Sequence, residues 1–328
     1  MNQNLFLIRS PLQALNAIEA KEKLSKNEEN IVLVFYKREI DKELILNTLN
    51  YSTWSKIIVK KLKPHRKLFL YFHNLLKELP SIHYCFIGDH STLINYYMNR
   101  LEYKHLVMLE DGTATLNNIK LLENKTYHKM KRTSYSKNNF FSTLVKNLIG
   151  IDTRYLYNSS FFTIYNINTN IPIIKNDYNY LKGLIKKIPH KEVVFFIGSN
   201  LIEEIFISQE LFEQQLQKVI HYYQDKNIEF IYILHRKEDL EYMTHLGERL
   251  GFKCLKFNNI IEIEFLNLGY IPSEISTFMS TAATTLKMLY PSRYTFFRLN
   301  MNEINRNFQS PIQAIEKQFI KENIVPLN

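Results

Sequence analysis

The fold is decided by the stretch LFLIRSPLQALNAIEAKEKL (residues 5–24) and the run IVLVF (residues 31–35) that follows it. Residues 5–8 and 31–35 are apolar runs without alternation, which is typical of strands buried on both faces of a parallel sheet. Between them, Ser10-Pro11 opens a helical pattern, with proline in the first turn, where its missing N–H has no intrahelical partner to lose. A strand, a helix and a second strand in this order predict a doubly wound α/β domain.

The same alternation continues to residue 109 and returns after residue 190. The predicted strands cover residues 57–59, 84–87, 105–109, 193–197, 230–234, 275–279 and 294–297. The predicted helices cover residues 39–49, 66–78, 91–99, 237–250, 282–289 and 309–320, with a further helix capped by Ser208. Residues 113–176 are rich in Asn, Lys, Tyr and Ser, and this composition is typical of loops, short helices and a linker.

The sequence therefore predicts two Rossmann-like domains that meet near residues 160–185. The first domain spans residues 1–165 and the second spans residues 185–308, while a terminal helix, residues 309–328, is expected to pack back on the first. A length of 328 residues agrees with two domains. Ligands of doubly wound sheets bind where loops follow the carboxyl ends of the strands.

Composition excludes several classes of protein. A hydrophobic fraction of 45% and an aromatic fraction of 13% exclude a disordered or fibrous chain. The two cysteines, Cys85 and Cys254, lie in apolar stretches and are interpreted as buried free thiols, which fits a reducing cytoplasm. The sequence shows no secretory signal and no run of ~20 apolar residues, so we expect a cytoplasmic protein, soluble or peripheral on the inner face of the membrane.

The chain is strongly basic, with a formal net charge of +10 and a pI of about 9.2. Such a balance attracts polyanions, namely nucleic acid, anionic lipid surfaces or charged sugar donors. Basic residues concentrate in segments 56–67 and 125–137. These segments are interpreted either as ordinary solvated faces or as a surface that contacts the membrane.

Glu110-Asp111-Gly112 follows a predicted strand directly. Adjacent side chains point to different sides, so one carboxylate alone can face a ligand. A carboxylate at a strand end can accept a proton from an attacking hydroxyl, and Gly112 allows the backbone to turn sharply beside a ligand. The alternative interpretation is an ordinary Asp-Gly turn.

Three further polar features also follow strands. His235 can donate to a phosphate or protonate it, and Arg236 can neutralise it, unless the two are only a surface basic pair. Ser280-Thr281 stands where a helix begins, and Gly198-Ser199 follows another strand. Each of these two can form a phosphate site or simply cap a helix. The sequence contains no Walker loop, dinucleotide glycine fingerprint, HExxH or Gly-x-Ser-x-Gly motif.

The joint order of these features resembles the bacterial sialyltransferases, most closely glycosyltransferase family 52 of lipooligosaccharide and capsule synthesis. Their acidic-acidic-Gly motif matches residues 110–112, and their Ser/Thr-rich motif matches residues 278–283. His235 stands at their His-Pro motif, where Arg236 replaces the proline. Residues 10–13, SPLQ, are similar to that family's first strand–helix junction.

The resemblance implies a GT-B fold whose active site lies in the cleft between its two domains. Asp111 would be the base that deprotonates the acceptor, and His235 would stabilise the departing CMP phosphate. Arg236, Ser280 and Thr281 would contact the phosphate of CMP-sialic acid. Gly198 and Ser199 would approach the nucleotide closely. Glu262 or Glu264 would accept hydrogen bonds from the ribose hydroxyls. The resemblance further implies no metal or other cofactor, a galactose-type acceptor on a cell-surface glycan or glycolipid, and a homodimer.

Two other functions remain open at this stage. A hexosyltransferase of the same fold would use a UDP-sugar, and Arg236 with Lys237 could meet its diphosphate. A basic nucleic-acid-binding protein would explain the charge and the many aromatic residues, although no RNP-like or helix-turn-helix signal is present.

Overall fold

The computed structural model describes residues 2–62, 81–112, 114–124 and 154–327. They divide into two compact units, Met1–Tyr180 and Leu181–Asn328, and the division lies inside the range 160–185 expected from the sequence. The helix predicted over residues 66–78 and the basic segment 125–137 lie outside the described residues.

The first unit alternates strands and helices along the chain. Its strands are β1 (Gln3–Ile8), β2 (Glu29–Tyr36), β3 (Lys56–Lys61), β4 (Ile82–Ile87), β5 (Tyr103–Leu109), β6 (Ser159–Thr163) and β7 (Ile173–Lys175). Its helices are α1 (Pro11–Leu24), α2 (Glu39–Leu49), α3 (Thr92–Met98) and α4 (Ala114–Glu123). Ser10 caps α1, since its side chain accepts a hydrogen bond from the Gln13 N–H, and Pro11 is the first helical residue.

All seven strands of the first sheet are parallel, in the order β3-β2-β1-β4-β5-β6-β7. Successive strands are added on one side of β1 as far as β3, and on its other side from β4 onward. The topological switch point, where ligands of such sheets bind, therefore lies between β1 and β4.

Helices cover both faces of this sheet, as strands without alternation require. On one face Phe6, Val32 and Phe86 pack against α1 and α2. On the other face Leu7 and Leu33 pack against α3 and α4. Leu7 is in register with Leu33 on one side and Ile87 on the other.

The second unit repeats the plan. Its strands are β8 (His190–Ile197), β9 (Glu229–Ile233), β10 (Lys253–Leu255), β11 (Ile271–Thr277), β12 (Arg293–Phe297) and β13 (Val325–Leu327). The helices are α5 (Asn179–Ile185), which begins in the last residues of the first unit, α6 (Gln209–Gln224), α7 (Leu240–Leu250), α8 (Ile261–Leu268), α9 (Ala282–Leu289) and α10 (Arg306–Lys321). The strand order is β10-β9-β8-β11-β12-β13, again all parallel, so the switch point lies between β8 and β11.

The two faces of the second sheet have different partners. Phe196 and its neighbours pack against α6, α7 and α10. Phe195 points to the opposite face, where its ring meets the edge of Phe265 on α8. The helix α8 therefore crosses over β8, close to the switch point.

The structure differs from the sequence prediction at several elements. The stretch 113–176 was predicted to hold loops, short helices and a linker; it contains the helix α4, but also the sheet strands β6 and β7, which were not predicted. The elements β10, α8 and β13 were not predicted. Residues 309–328 were expected to return to the first unit, whereas here Ile312 lies in the core of the second unit, Phe319 packs on Phe296, and β13 extends the second sheet. The terminal segment is thus an integral part of the second unit.

Two other sequence expectations concern the surface and the thiols. Lys56, Lys60 and Lys61 lie on β3, the edge strand of the first sheet, while residues 63–67 of the same basic segment are outside the described residues. Cys85 is buried and Cys254 is half-buried, and both are free thiols. Among the described residues, no helix is long and apolar enough to cross a membrane.

Candidate functional site

Polar residues follow the strands at the switch point of each sheet. In the first unit, Arg9 and Ser10 follow β1, Gly88 and Asp89 follow β4, and Asp111 follows β5. Arg9 forms an ion pair with Asp89, which joins the two loops that flank the switch point. This edge of the first sheet therefore carries the charged groups that the fold presents to a ligand.

Asp111 is half-buried at this edge and is held by neighbours from α1. The Ser10 hydroxyl donates to Asp111 Oδ1 over 3.3 Å, and the Gln13 side chain also hydrogen-bonds the carboxylate. The Asp111 N–H donates to the Thr115 hydroxyl over 2.9 Å. Gly112 follows with φ +64, a conformation that favours glycine, and this confirms the sharp turn expected there.

The surroundings of Asp111 make it a stronger base than a free carboxylate. Burial raises its pKa, and the charge of Asp89 acts in the same direction. The hydrogen bonds from Gln13 and Ser10 and the charge of Arg9 oppose this rise. A carboxylate with a raised pKa accepts a proton from a hydroxyl more readily.

Glu110 points into the core of the first unit. Its side chain is only 1% exposed and accepts hydrogen bonds from the Thr163 hydroxyl, over 2.6 Å, and the Ile164 N–H, over 2.7 Å. Its carbonyl oxygen accepts from the Asn16 amide over 3.0 Å. Of the two adjacent carboxylates, Asp111 thus lies at the edge of the sheet, and Glu110 joins β5 to the chain after β6.

Glu110→Gln should make the first unit less sensitive to pH. Burial raises the pKa of Glu110 to about 6, from 4.5, so its ionisation destabilises the fold as pH rises from 4.5 through 6. Glutamine can accept both hydrogen bonds without a charge. The free energy of unfolding of the variant, relative to wild type, should therefore increase by roughly 2 kcal/mol between pH 4.5 and pH 7, from 1.36 kcal/mol per pKa unit.

Chemical denaturation at several pH values measures this difference. Glu102→Gln is the matched control, because Glu102 is an exposed carboxylate in the same unit. Parallel pH profiles for Glu110→Gln and wild type would show that Glu110 is not a buried titrating group.

Gln13 is a buried link between the loops of the first unit. Its amide oxygen accepts from the Arg9 N–H over 2.8 Å, and its side chain also bonds Asp111. A Cβ on Gly88 would lie 2.1 Å from Gln13 Cδ, so this side chain fits only because residue 88 is glycine. In the sequence, Gln13 stands out only as part of the stretch SPLQ that carries the resemblance, and no role was predicted for it.

In the second unit, one carboxylate joins the loops after β8 and β9. Glu238 accepts from the His235 N–H and the Tyr232 hydroxyl, each over 2.6 Å, and from the Ser199 N–H. Gly198 leaves room for it, since a Cβ there would lie 2.3 Å from Glu238 Oε2. Glu238 was not among the residues singled out from the sequence, where nothing distinguishes it from other acids near a helix start.

His235 is half-buried, and its surroundings favour the neutral form of its ring. The Lys237 N–H donates to His235 Nδ1 over 3.3 Å, which requires an unprotonated Nδ1 and so places the proton of a neutral ring on Nε2. Burial lowers the His235 pKa, and the charges of Arg236 and Lys237 lower it further. A neutral imidazole with its proton on Nε2 can donate a hydrogen bond to an anion.

The basic neighbours of His235 differ in their partners. Lys237 forms an ion pair with Glu204, which offsets its charge. Arg236 is exposed, and among the described residues it has no ion-pair partner. Of these two cations only Arg236 therefore keeps an unbalanced charge, and Glu203 and Glu238 bring negative charge to the same loops.

The loop between β11 and α9 brings hydroxyl groups to the same edge. Thr277 donates to the Ile197 carbonyl over 2.8 Å and accepts from the Ser280 N–H over 2.9 Å, which ties this loop to the end of β8. Thr281 precedes α9, but its side chain makes no capping hydrogen bond. The Thr281 hydroxyl therefore has no capping role, unlike those of Ser10 and Ser208.

Glu262 and Glu264 lie in the first turn of α8, which follows β10 at the carboxyl edge of the sheet. Both side chains are buried, and burial raises the pKa of Glu262 to about 7. The Tyr290 hydroxyl donates to the Glu262 carbonyl over 2.7 Å and fixes this turn against the end of α9. Their contact with a ribose stays a prediction.

In the part of the chain that the structure describes, no group of three or more His, Cys, Asp or Glu side chains could hold a metal ion. The structure brings Gly198, Ser199 and His235 together around Glu238, and it places Ser280 beside them through Thr277. Asp111 belongs to the first unit and Glu110 is withdrawn from the sheet edge.

Comparisons with known proteins identify the fold. No protein-family model matches the chain, and no curated protein matches it in sequence. The structure is similar to that of the Escherichia coli heptosyltransferase WaaC with ADP-2-deoxy-2-fluoro heptose, with a TM-score of 0.50 and 10% identity over 98% of this chain and 99% of that one. It is equally similar to a putative UDP-N-acetylglucosamine 2-epimerase from Listeria monocytogenes, with a TM-score of 0.50 and 11% identity over 98% and 88% of the two chains. The chain thus has the two Rossmann-like α/β units of the GT-B fold, as predicted.

Proposed function

We propose that this chain is an inverting, metal-independent glycosyltransferase that moves sialic acid from CMP-sialic acid to a galactose-type acceptor on a cell-surface glycan. One observation carries the proposal: each unit bears a complementary half of the required chemistry at its strand ends. The first unit has a carboxylate of raised pKa, Asp111, and the second has a histidine of lowered pKa, His235, beside the Ser199 hydroxyl, which has no hydrogen-bond partner among the described residues.

The acceptor half of the reaction needs a base. In a direct displacement, the acceptor hydroxyl oxygen bonds to the anomeric carbon while the bond from that carbon to the CMP phosphate oxygen breaks. Asp111 would take the hydroxyl proton as this bond forms, and the electron pair of the broken bond would leave with CMP. The Ser10 and Gln13 hydrogen bonds would hold the carboxylate in place during the transfer.

The donor half needs groups that stabilise a departing phosphate. His235 can donate from Nε2, and the hydroxyls of Ser280 and Thr281 stand before α9, whose N-terminus favours an anion. Little excess positive charge lies beside His235, because Glu204 pairs with Lys237 and Glu203 adds negative charge to the same loops. This balance suits a monophosphate leaving group such as CMP better than a diphosphate.

The fold also supports a nucleotide-sugar ligand in general. The similar heptosyltransferase structure contains ADP-2-deoxy-2-fluoro heptose, and the similar putative epimerase is named for a UDP-sugar. A UDP-dependent hexosyltransferase is the second candidate, and it is favoured by the exposed Arg236, which has no ion-pair partner in the part of the chain that the structure describes. The donor identity is thus the first property to measure.

A donor panel tests the proposal. The purified protein is incubated with CMP-sialic acid and with UDP-, GDP- and ADP-sugars, with and without a galactose-terminated acceptor, in the presence of a chelator. Release of CMP that depends on the acceptor, with retained activity under chelation, is expected. Release of UDP instead would support the hexosyltransferase, and conversion of a UDP-sugar into its epimer without nucleotide release would overturn transferase activity altogether.

His235→Ala should weaken CMP binding by about 10- to 100-fold, because a hydrogen bond to a charged group contributes ~1.5–3 kcal/mol. Turnover should fall as well, because negative charge grows on the phosphate as it departs, so the bond is stronger in the transition state than in the ground state. Isothermal titration calorimetry with CMP measures the affinity. His245→Ala is the control, because His245 is an exposed histidine on α7. Equal CMP affinity for both variants and wild type would remove His235 from the donor site.

A further inference from the structure

Glu238 occupies an unusual position for an acid. It lies directly beneath the loops after β8 and β9, is 6% exposed, and is contacted by three donors: the Ser199 N–H, the His235 N–H and the Tyr232 hydroxyl. No lysine or arginine of the described residues lies within ion-pair distance of it. Its negative charge is therefore held by neutral dipoles alone.

The two backbone N–H groups have a consequence for ligand binding. Because the Ser199 and His235 N–H groups point inward to Glu238, they are not available to a phosphate. The groups that remain for a phosphate are side chains of the same residues, namely His235 Nε2 and the Ser199 hydroxyl, which is buried and makes no hydrogen bond within the described structure. Glu238 thus orients these side chains without touching the ligand.

We propose that Glu238 is the positioning residue of the donor site and that its carboxyl group takes up a proton when a phosphate binds beside Ser199 and His235. The inference rests on the proposed function only in placing a phosphate-bearing ligand at this edge of the second sheet. A bound phosphate dianion would lie on the outer side of the same two residues, so the two negative charges would repel each other.

The charges around Glu238 determine how readily it takes a proton. Burial is the largest influence and raises its pKa to about 7, and the charge of Glu203, in the loop after β8, acts in the same direction. The hydrogen bonds from Tyr232, His235 and Ser199 oppose this rise. The remaining titratable groups near it are Arg236, Lys237 with its partner Glu204, and Cys254 on β10.

The protonated form keeps the geometry. With the proton on Oε1, Glu238 Oε2 still accepts from the His235 N–H, and the Tyr232 hydroxyl can rotate to accept the new proton. Up to one proton from solvent then accompanies each bound phosphate, and the uptake is largest above pH 7, where Glu238 is ionised before binding. Phosphate affinity should therefore fall as pH rises above 7, by at most about tenfold per pH unit.

The first experiment needs no ligand. The backbone amide resonances of Ser199 and His235 are followed by NMR from pH 5.5 to pH 8.5 in wild type, Glu238→Gln and Glu241→Gln, an exposed acid on α7. We expect both amides to shift with a shared midpoint near pH 7 in wild type and Glu241→Gln, and this midpoint to be absent in Glu238→Gln. Independent amide titrations, or a midpoint that survives in Glu238→Gln, would overturn the positioning role.

The second experiment measures the coupled proton. CMP is titrated calorimetrically above pH 7, where its phosphate is a dianion, in two buffers of different ionisation enthalpy. The expected result is proton uptake of up to one per CMP in wild type and its loss in Glu238→Gln. Uptake that is unchanged in Glu238→Gln would assign the proton to His235 and overturn the coupling.

The two experiments separate the inference from the function on which it rests. If no nucleotide binds to wild type, the proposed function and the proton coupling both fail, while the amide titration still decides whether Glu238 holds the two loops. If CMP binds with no proton uptake, the nucleotide site stands and the coupling alone is wrong.

Discussion

Asp111→Asn should lower the turnover of glycosyl transfer by ~100-fold or more while donor affinity stays near its wild-type value. Asparagine has the same shape as aspartate, and its amide oxygen can still accept from Ser10 or Gln13. It cannot accept a proton, so the acceptor hydroxyl would attack without a base. Steady-state kinetics with the donor identified by the panel measures turnover, and calorimetry measures donor affinity.

Glu110→Gln is the control for this prediction, because Glu110 is bonded to Thr163 and Ile164 inside the first unit. It should retain most of the turnover. In wild type, turnover should also fall as pH drops through the raised pKa of Asp111, since the protonated acid cannot act as a base. Near-normal transfer by Asp111→Asn, or loss of transfer in Glu110→Gln alone at unchanged stability, would reverse the roles of the two carboxylates.

Gly198→Ala should destabilise the second unit by ~3 kcal/mol or more and abolish most nucleotide binding. The added Cβ would lie 2.3 Å from Glu238 Oε2 and 2.8 Å from the Tyr232 hydroxyl, closer than non-bonded atoms can approach. Either the carboxylate leaves its three donors or the end of β8 moves. In both cases Ser199 and His235 lose the contact that orients them.

Gly183→Ala is the matched control for the second prediction. Nothing lies within 4 Å of a Cβ at Gly183, which is inside the helix α5. Alanine there should raise stability by about 0.5–1 kcal/mol, because glycine is unfavourable within a helix. Chemical denaturation and CMP titration of both variants measure the effects, and a Gly198→Ala variant with wild-type stability and affinity would show that Glu238 does not hold these loops.

The regular elements were predictable where the sequence pattern is strong. Residues 193–197 form an unbroken apolar run, and they lie within β8, buried on both faces. The helix predicted over residues 282–289 coincides with α9, because its apolar positions recur at helical spacing. Ser10 and Ser208 mark helix starts, and both accept the expected capping hydrogen bonds.

The missed strands lack such a pattern. The edge strands β10 and β13 have three residues each and are half-buried or exposed, so no alternation or apolar run is long enough to detect. The strand β6 stands in a polar stretch and contains two serines. Its place in the sheet depends on pairing with β5, a contact between distant parts of the chain.

The candidate site was only partly predictable for the same reason. The sequence showed that one of Glu110 and Asp111 would turn away from the sheet edge, but the choice depends on Thr163 and Ile164, which lie far along the chain. Glu238 could not be identified from the sequence. Its contact with Gly198 depends on the folded structure, and no motif or spacing in the sequence indicates that Gly198 makes room for this carboxylate. The sequence thus predicted the residues proposed to take part in the reaction, but it did not predict the residues that position them.

The glycines Gly88 and Gly198 each make room for one polar side chain, Gln13 in the first unit and Glu238 in the second. Within each pair, the effect of a substitution at one position therefore depends on the residue at the other. A larger residue in place of Gly88 becomes sterically acceptable only after Gln13 has been shortened, and one in place of Gly198 only after both Glu238 and Tyr232 have been changed. Replacing the glycine therefore requires that the polar side chain, and with it the link between the loops, is lost first. We expect the glycine and the polar residue of each pair to be retained together or replaced together.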